Sequence, residues 1–576
     1  MEIKFGGAAR MVTGSSHLLT LDDGYKILLD CGLAQGKGAH IWELNNQWHF
    51  DVKEIDCMIL SHAHIDHSGR VPQLVKDGFR GSIHSTHATR SLCSIMLLDS
   101  AKIQERDVSW YNQKLRKKRK KKNQDFRVSL YTSEDVGPAM EKFVGHGYNN
   151  WFQIRKGVEV LFRDQGHILG SASVTLRIKQ GRKTTMVGFT GDIGRPDRPI
   201  LRDPVRMPEV DYMICESTYG DKEHETPPEQ SDSFLSIVKE ACCKKKGKLI
   251  IPAFSIGRTQ ELVYMMDKLE TAGLLPKIPV FVDSPLAVNA THIYGTHPEC
   301  YDNKLHEYML EDPNPFGFNS LKYIRSVNES KQLNSMKKPA IIISSSGMMN
   351  AGRIRHHLYN NIENPKSTFL IVGYCSPDTA GGMLKAGIKE LKIFGETKKV
   401  KATIKTMDSF SAHADRKEMV DFLGNQKKLK KIYLVHGEYD VQKAFKKYLT
   451  KEGIKEVVIP DLGEEYDVNG GKVTKTQKKK SKNKPKTPTP RKKKDYPAKT
   501  KNRISNLEKQ TKKKTDKKAS AKSKKSAKST PKKSTIVLKE AIKKKKQQSA
   551  GKATQKKYSR KKKKAVMDSS NHWKKK

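Results

Sequence analysis

Residues 60–72 read LSHAHIDHSGRVP and follow directly on the apolar run IDCMI at 55–59. His62, His64, Asp66 and His67 fall within six consecutive positions. Histidine nitrogen and carboxylate oxygen are the ligands zinc prefers where no thiolate is at hand. In an extended segment His62 and His64 reach one ion, and Asp66 and His67 reach a second. A merely polar surface loop is the plain alternative. The density of the cluster and its place straight after a buried strand favour the metal site.

The first 215 residues read as short apolar strands punctuated by glycine: YKILLD (25–30), DCMILSH (56–62), VEVLF (158–162), ASVTLRI (172–178), TTMVGFTGD (184–192) and VDYMICEST (210–218). Several end in a side chain that can bind a metal or a proton, namely Asp30, His62, Asp192 and Glu216. Such gatherings at strand ends belong to layered α/β sites built on a rigid sheet. Two ions need more donors than one loop holds. QGHILGSAS (165–173) offers His167, and GFTGDIGR (188–195) offers Asp192, whose two oxygens can bridge two cations.

From about 220 the texture changes. GKLIIPAF (247–254), IPVFVDS (278–284), PAIIISSSG (339–347) and STFLIVGY (367–374) alternate with helical stretches, the pattern of a parallel α/β module. VKATIKTMDSFSAHAD (400–415), KIYLVHGE (431–438) and a helix near 440–452 then resume the earlier pattern, so the middle module reads as an insertion.

Taken together, these motifs resemble the metallo-β-lactamase fold and its β-CASP branch. His62-x-His64-x-Asp66-His67 is similar to motif 2 of that fold, Asp30 in LLLDCG to motif 1, His167 to motif 3 and Asp192 to motif 4. CESTYG (215–220) resembles motif A, with Glu216; SFSAHAD (409–415) motif B, with His413; YLVHGE (433–438) motif C, with His436. IPAFSIGRTQELV, DSPLAVNAT and SSSGMMNAGRIRHH resemble segments of the inserted domain. The resemblance covers about residues 1–468 and lies nearest to nucleases related to the cleavage and polyadenylation endonuclease and their bacterial relatives.

The resemblance implies an α/β protein, an αββα sandwich with the β-CASP domain inserted as an α/β cap. Its parts are expected at 1–218 and 399–468 for the sandwich, 219–398 for the cap and 469–576 for a disordered Lys-rich tail. It implies two zinc ions, one held by His62, His64, His167 and Asp192, the other by Asp66, His67, Asp192 and His436. Asp30 would support the ligand loop from behind, and Glu216 would orient His413 as the acid for the leaving oxygen. Manganese could substitute at the oxygen-rich second site.

The implied reaction is hydrolysis of an RNA phosphodiester by a hydroxide activated between the zinc ions, leaving 5′-phosphate and 3′-hydroxyl ends. Both endonucleolytic and 5′-exonucleolytic action occur on this architecture, in RNA processing or decay. Histidine rather than valine at motif C favours RNA over DNA. Arg258, His357 and the SSSGMM turn, with Ser345, Ser346 and Gly347, are the expected RNA contacts. Two local departures stand out: GYCSPDTAGG (373–382) replaces a segment usually read GYQAxGTLG, and LRKKRKKK (115–122) is unusually basic. A DNA nuclease of the same fold and a non-catalytic RNA-binding scaffold are the alternatives. A small-molecule hydrolase fits poorly with the cap motifs.

Charge adds a partner. Residues 471–576 hold 43 Lys and Arg against 5 Asp and Glu, a net of +38 out of the chain's +49. Such a segment cannot bury enough apolar surface to fold, and it seeks polyanions, nucleic acid or the ribosome. The eight cysteines form no CxxC pair, as expected of thiols kept reduced. MEIKFGGAARM lacks the apolar core of a signal peptide, and no run approaches the length of a membrane span. The expectation is a cytoplasmic protein with no membrane contact. Dimerisation is common among the bacterial relatives, so a homodimer is a further expectation.

Overall fold

The computed structural model describes residues 1–36, 39–117, 126–224, 230–373, 375–407 and 411–473. Residues 474–576 of the expected tail and most of the basic run at 115–122 lie outside these residues; 469–473, also expected in the tail, instead fold back on the edge of the sandwich, where Val473 N donates to Glu465 O at 2.8 Å.

Two seven-stranded sheets form the body. The first runs, edge to edge, Glu465–Asp467, Glu2–Gly7, Ser16–Thr20, Lys26–Leu29, Cys57–Ile59, Ser82–Thr86 and Phe143–His146. The second runs Val457–Val458, Lys431–Leu434, Tyr212–Cys215, Lys183–Phe189, Ala172–Gln180, Val158–Asp164 and Trp151–Arg155. Strand alternation explains how they stack. Ile27, Leu29, Cys57 and Ile59 point inward with Ile3, Phe5 and Leu19, and meet Val160, Phe162, Val174, Leu176, Val187 and Ile214 of the second sheet. The intervening residues Leu28, Met58 and Leu60 point outward, against helices Val71–Lys76 and His87–Lys117. On the opposite side Met213, Cys215, Ile432 and Leu434 cover helices Arg416–Leu423 and Tyr439–Lys451 through Met419, Phe422, Phe445 and Leu449. The result is the expected αββα layering. Each aliphatic or aromatic side chain so removed from water contributes about 1.5–3 kcal/mol before chain entropy is counted.

A third sheet runs Leu321–Tyr323, Val280–Asp283, Ala340–Ser344, Lys248–Pro252, Thr368–Ile371 and Thr403–Thr406, and every neighbouring pair is parallel. Its central strands KLIIP and AIIIS are buried throughout, as parallel strands covered on both faces must be. Its last strand, Thr403–Thr406, lies past residue 398, where the sequence pattern placed the return to the sandwich. The segment VKATIK reads equally well as a strand of either sheet, and pairing to Thr368–Ile371 puts it in the cap.

The 31-residue helix His87–Lys117 was not anticipated among the glycine-punctuated strands. Its buried Ala88, Leu92, Cys93, Met96, Leu97 and Ala101 have helical spacing, visible in the sequence once the period is sought. The helix packs against cap helix Pro285–Tyr294 as well as the sandwich. Around it, His297 Nε2 lies 2.9 Å from Ser91 Oγ, and Leu201 bridges Tyr301. Among the described residues, no helix is long and apolar enough to cross a membrane.

Candidate metal centre

The loop after strand Cys57–Ile59 is held from below. Cys31 N donates to His67 O at 2.8 Å, and Ser15 N to Asp66 O at 2.8 Å. Gly32 makes this approach feasible: a Cβ there would sit 1.6 Å from the Asp66 carbonyl oxygen. Asp30, fully buried and left-handed (φ 59°), accepts from Ser61 N at 2.8 Å, Ser61 Oγ at 3.0 Å and Ser15 Oγ at 3.1 Å. The same carboxylate lies 2.6 Å from His67 Nδ1, which leaves His67 Nε2 facing the loop's interior.

Four donors converge on one side. His62 Nε2 is 3.1 Å from His64 Nδ1, His64 Nδ1 is 3.1 Å from His167 Nε2, and Asp192 Oδ2 lies 3.3 and 3.4 Å from His62 and His167. A second group shares Asp192 through its other oxygen: Oδ1 lies 3.3 Å from His67 Nε2 and 3.7 Å from His436 Nε2, and Asp66 Oδ2 lies 3.6 Å from His436 Nε2. Ring nitrogens 3.1 Å apart cannot all be satisfied by one another's hydrogens. Asp192 Oδ1 is buried and has no hydrogen-bond partner. Donors spaced this way suit ligands about 2 Å from a shared tetrahedral cation, and all-nitrogen-and-oxygen sets suit zinc. The residues therefore fit the metal that the fold implies.

Electrostatics agree. Burial, with the neighbouring imidazoles, pushes His62 and His167 down and His64 down to about 3, so these rings are neutral and free to donate lone pairs. Against burial, which favours the neutral acid, the surrounding histidines hold Asp66 and Asp192 well below the usual carboxylate range. His67 differs: burial opposes its charge, but Asp192 and Asp30 outweigh it and push the ring well above its ordinary value, so a cation taken at Nε2 would have to displace a proton there.

Glu216 and His413 sit beside this centre. Glu216 is buried at the end of strand Tyr212–Cys215, and its Oε2 lies 3.1 Å from His413 Nδ1. His413 Nδ1 is also 3.9 Å from Asp192 Oδ2, while the ring is 20% exposed. Burial opposes its charge, but the Glu216 and Asp192 carboxylates push it up to about 9. Its backbone is pinned next to Asp192, since Ala414 N donates to Ile193 O at 2.8 Å and Gly194 bridges His413. His436, left-handed at φ 52°, follows strand Lys431–Leu434, with its amide on Ala8 O at 2.8 Å. The structure thus brings every expected metal-site residue, with Asp30, Glu216 and His413, to one place.

Sequence reading missed Thr218. Its Oγ1 lies 2.6 Å from Glu216 Oε2 and 2.9 Å from His436 Nδ1. The signal was present: Thr218 follows Glu216 by two positions in CESTYG.

The expected RNA contacts divide. Ser345 and Ser346 are partly exposed after strand Ala340–Ser344. Ser345 Oγ meets Ser255 Oγ at 2.6 Å and Ser284 Oγ at 3.0 Å, three hydroxyls at the ends of three parallel strands. Gly347 packs its backbone against the Phe254 ring. Two contacts are corrected. Arg258 is buried, and it pairs with Glu261, which also holds Arg198 of the sandwich. His357 is wholly buried, with Nε2 2.7 Å from Asp283 and Nδ1 3.0 Å from Asn334. Both ring nitrogens are occupied, so His357 orders the cap's interior instead of facing a phosphate. A helix pattern alone does not say which of two adjacent histidines points inward, and here His356 lies outward against Phe394.

Comparison with known proteins gives three family matches: the metallo-beta-lactamase superfamily over residues 10–219, the Beta-Casp domain over 259–384, and a Zn-dependent metallo-hydrolase RNA specificity domain over 397–460. The chain is 34% identical over 461 residues to ribonuclease TTHA0252 of Thermus thermophilus, spanning 80% of this chain and 98% of that one. It is 29% identical over 443 residues to transcription termination factor FttA of Methanosarcina mazei, and 29% identical over 428 residues to FttA of Methanococcus maripaludis. These matches cover 75% and 72% of this chain, and 66% and 63% of the archaeal chains.

Proposed function

The chain belongs to the β-CASP nucleases of the metallo-β-lactamase superfamily, metal-dependent phosphodiester hydrolases, and from that membership we propose that it is a zinc ribonuclease. It cuts RNA internally, with 5′-exonucleolytic trimming as a second mode, and leaves 5′-phosphate and 3′-hydroxyl ends. The observation that carries this reading is Asp192 standing between two donor groups with His413 on its flank.

His62, His64, His167 and Asp192 would hold one zinc ion, and Asp66, His67, Asp192 and His436 the other. When bound, the ions supply a water ionised near neutral pH and positive charge for the non-bridging phosphate oxygens. The residues do the rest. Asp30 fixes the His67 tautomer and orients the ring. Glu216 holds a proton on His413 Nδ1 and steadies the charged ring, so His413 can give the proton on its other nitrogen to the departing 3′-oxygen. Water forms the new bond to phosphorus as the bond to the 3′-oxygen breaks.

Ser345 and Ser346 and the Gly347 backbone are the proposed phosphate contacts on the cap. Gly257, in the loop after cap strand Lys248–Pro252, is near Ile168, the neighbour of the ligand His167: a Cβ there would stand 3.8 Å from the Ile168 side chain. This supports a substrate path between the strand ends and the metal loops. The Lys-rich segment at 469–576 adds affinity for the RNA backbone or the ribosome and raises local substrate concentration. The relatives that carry the name transcription termination factor support a place in the processing or decay of transcripts.

The test is cleavage of a 5′-labelled single-stranded RNA and its DNA equivalent by the wild type and by Asp66→Ala with His67→Ala. Internal RNA cuts that vanish in the variant, with DNA spared, are expected. RNA bound but never cut with zinc supplied would replace this reading with a binding scaffold, and equal cutting of DNA would make it a DNA nuclease.

A further inference from the structure

His413 sits where two chain segments meet. One is its own, residues 411–416; the other continues past the Glu216 turn as YGDKEH, residues 219–224. Arg416 N donates to Lys222 O at 3.1 Å, and at the surface Arg416 Nη2 pairs with Glu223 at 2.7 Å. His224 then grips the His413 segment twice. Its amide donates to the buried Asp415 carboxylate at 2.8 Å, and its ring Nε2 lies 3.2 Å from His413 O. A carbonyl oxygen only accepts, so Nε2 carries the hydrogen. Burial, with Arg195 nearby, pushes this ring below its ordinary value, so at neutral pH it holds one proton, the one given to His413 O. The Tyr219 ring packs edge-on against both imidazoles, 4.8 Å from His224 and 6.2 Å from His413.

The remaining ties on the His413 segment run elsewhere. Ala414 N donates to Ile193 O at 2.8 Å, and Ala412 O lies 3.3 Å from His167 Nδ1. Asp415 Oδ1 caps helix Arg416–Leu423 through Glu418 N at 2.9 Å, and the Glu418 carboxylate takes Arg195 Nε at 3.1 Å. These hold the segment to the metal loops and to its own helix. Ser411 Oγ also donates to His413 O, at 3.3 Å, but Ser411 belongs to the same segment and cannot fix it against Glu216. His224 can, because it lies only eight positions past Glu216. Glu216 and His413 are 197 positions apart, and their 3.1 Å contact needs the two segments in register. A misplacement of about 1 Å in such a pair can cost roughly a hundredfold in rate.

We propose that His224 is a positioning residue: it docks the segment carrying His413 onto the segment carrying Glu216, so that the His413 ring is aimed at the leaving oxygen. This rests on the nuclease reading. As the water oxygen bonds to phosphorus and the bond to the 3′-oxygen breaks, the proton on His413 Nε2 passes to that oxygen.

The experiment compares full-length wild type with His224→Gln, whose amide still donates near the place of Nε2, and His224→Phe, which keeps a ring but no donor. Two substrates separate positioning from general damage. RNA departs through a 3′-alkoxide, which needs a proton; bis(p-nitrophenyl) phosphate departs through an aryloxide, which does not. With zinc supplied, His224→Phe is expected to cut RNA with kcat about 10–100-fold lower and KM unchanged, and to hydrolyse the aryl diester at the wild-type rate. His224→Gln is expected to recover most of the RNA activity. Equal loss on both substrates would mark a fold or metal defect and overturn the proposal, as would undiminished RNA cleavage by His224→Phe. A second readout needs no turnover. In zinc-free protein labelled with ¹⁵N-histidine, the His413 Nδ1 proton, assigned by its absence in His413→Gln, is expected to exchange slowly in wild type and His224→Gln and rapidly in His224→Phe. Should the wild type cut no RNA, the nuclease reading fails and this proton alone decides. Its loss in His224→Phe then upholds the docking role, and its persistence there, or its absence from the wild type, overturns it.

Discussion

The Thr218 hydroxyl lies 2.9 Å from His436 Nδ1, and so ties the strand that carries Glu216 to the histidine that closes the metal centre. A hydroxyl has one hydrogen to give and two lone pairs to offer. Donating to Glu216, it accepts from His436 Nδ1, and that tautomer leaves His436 Nε2 bare toward Asp66 and Asp192.

Thr218→Val keeps the shape and removes this link. Zinc affinity is expected to fall about 10–100-fold, with Thr218→Ser close to wild type. Competition with a chromophoric chelator measures it. An unchanged affinity in the valine variant would show that His436 is oriented by its backbone alone.

His413 gives the metal-free protein a pH signature. Its folded value of about 9 exceeds the ordinary 6.5, so the folded state binds the proton more tightly than the unfolded state. The resulting stabilisation is complete below about pH 6.5 and is lost as pH rises through about 9. Urea unfolding of chelated wild type and His413→Gln is expected to show a gap that closes across this window. A gap that widens with pH would reverse the assigned charge.

Metal removal is expected to abolish cleavage and lower stability together. Zinc at one hundred times its dissociation constant stabilises the folded state by about 2.7 kcal/mol if the unfolded chain does not bind it. Asp192→Asn, which alters the residue shared by both donor groups, is expected to lose most of this gain in a thermal melt with and without zinc. Full retention would mean the ions do not share Asp192.

His357→Ala tests the cap interior. It leaves Asp283 with Ser330 at 2.6 Å and Arg353 at 2.7 Å but takes away its third partner. A loss of about 2 kcal/mol in unfolding free energy is expected, with RNA affinity per folded molecule unchanged. A specific loss of RNA affinity at wild-type stability would restore His357 as a contact.

Much of the site was legible because its chemistry is local. His62, His64, Asp66 and His67 share one loop, and Asp30, His167, Asp192, Glu216 and His436 each follow a strand whose apolar pattern is plain. Arg258 and His357 were misread because a charged or imidazole side chain in a motif looks alike whether it faces a ligand or a buried partner. Glu261 follows Arg258 by three positions, an interval that already permitted the ion pair.

The sequence by itself determined the donor types, their order and the period of most strands, since these depend on residue chemistry and on alternation over a few positions. Only the tertiary structure decided which donors meet. His67 and His436 are 369 positions apart, yet their Nε2 atoms lie 3.1 Å from each other. That closeness exists because strand Lys431–Leu434 pairs in parallel with Tyr212–Cys215, which pairs with Lys183–Phe189. Burying the apolar faces of two sheets against each other fixes that register, and no local pattern encodes it.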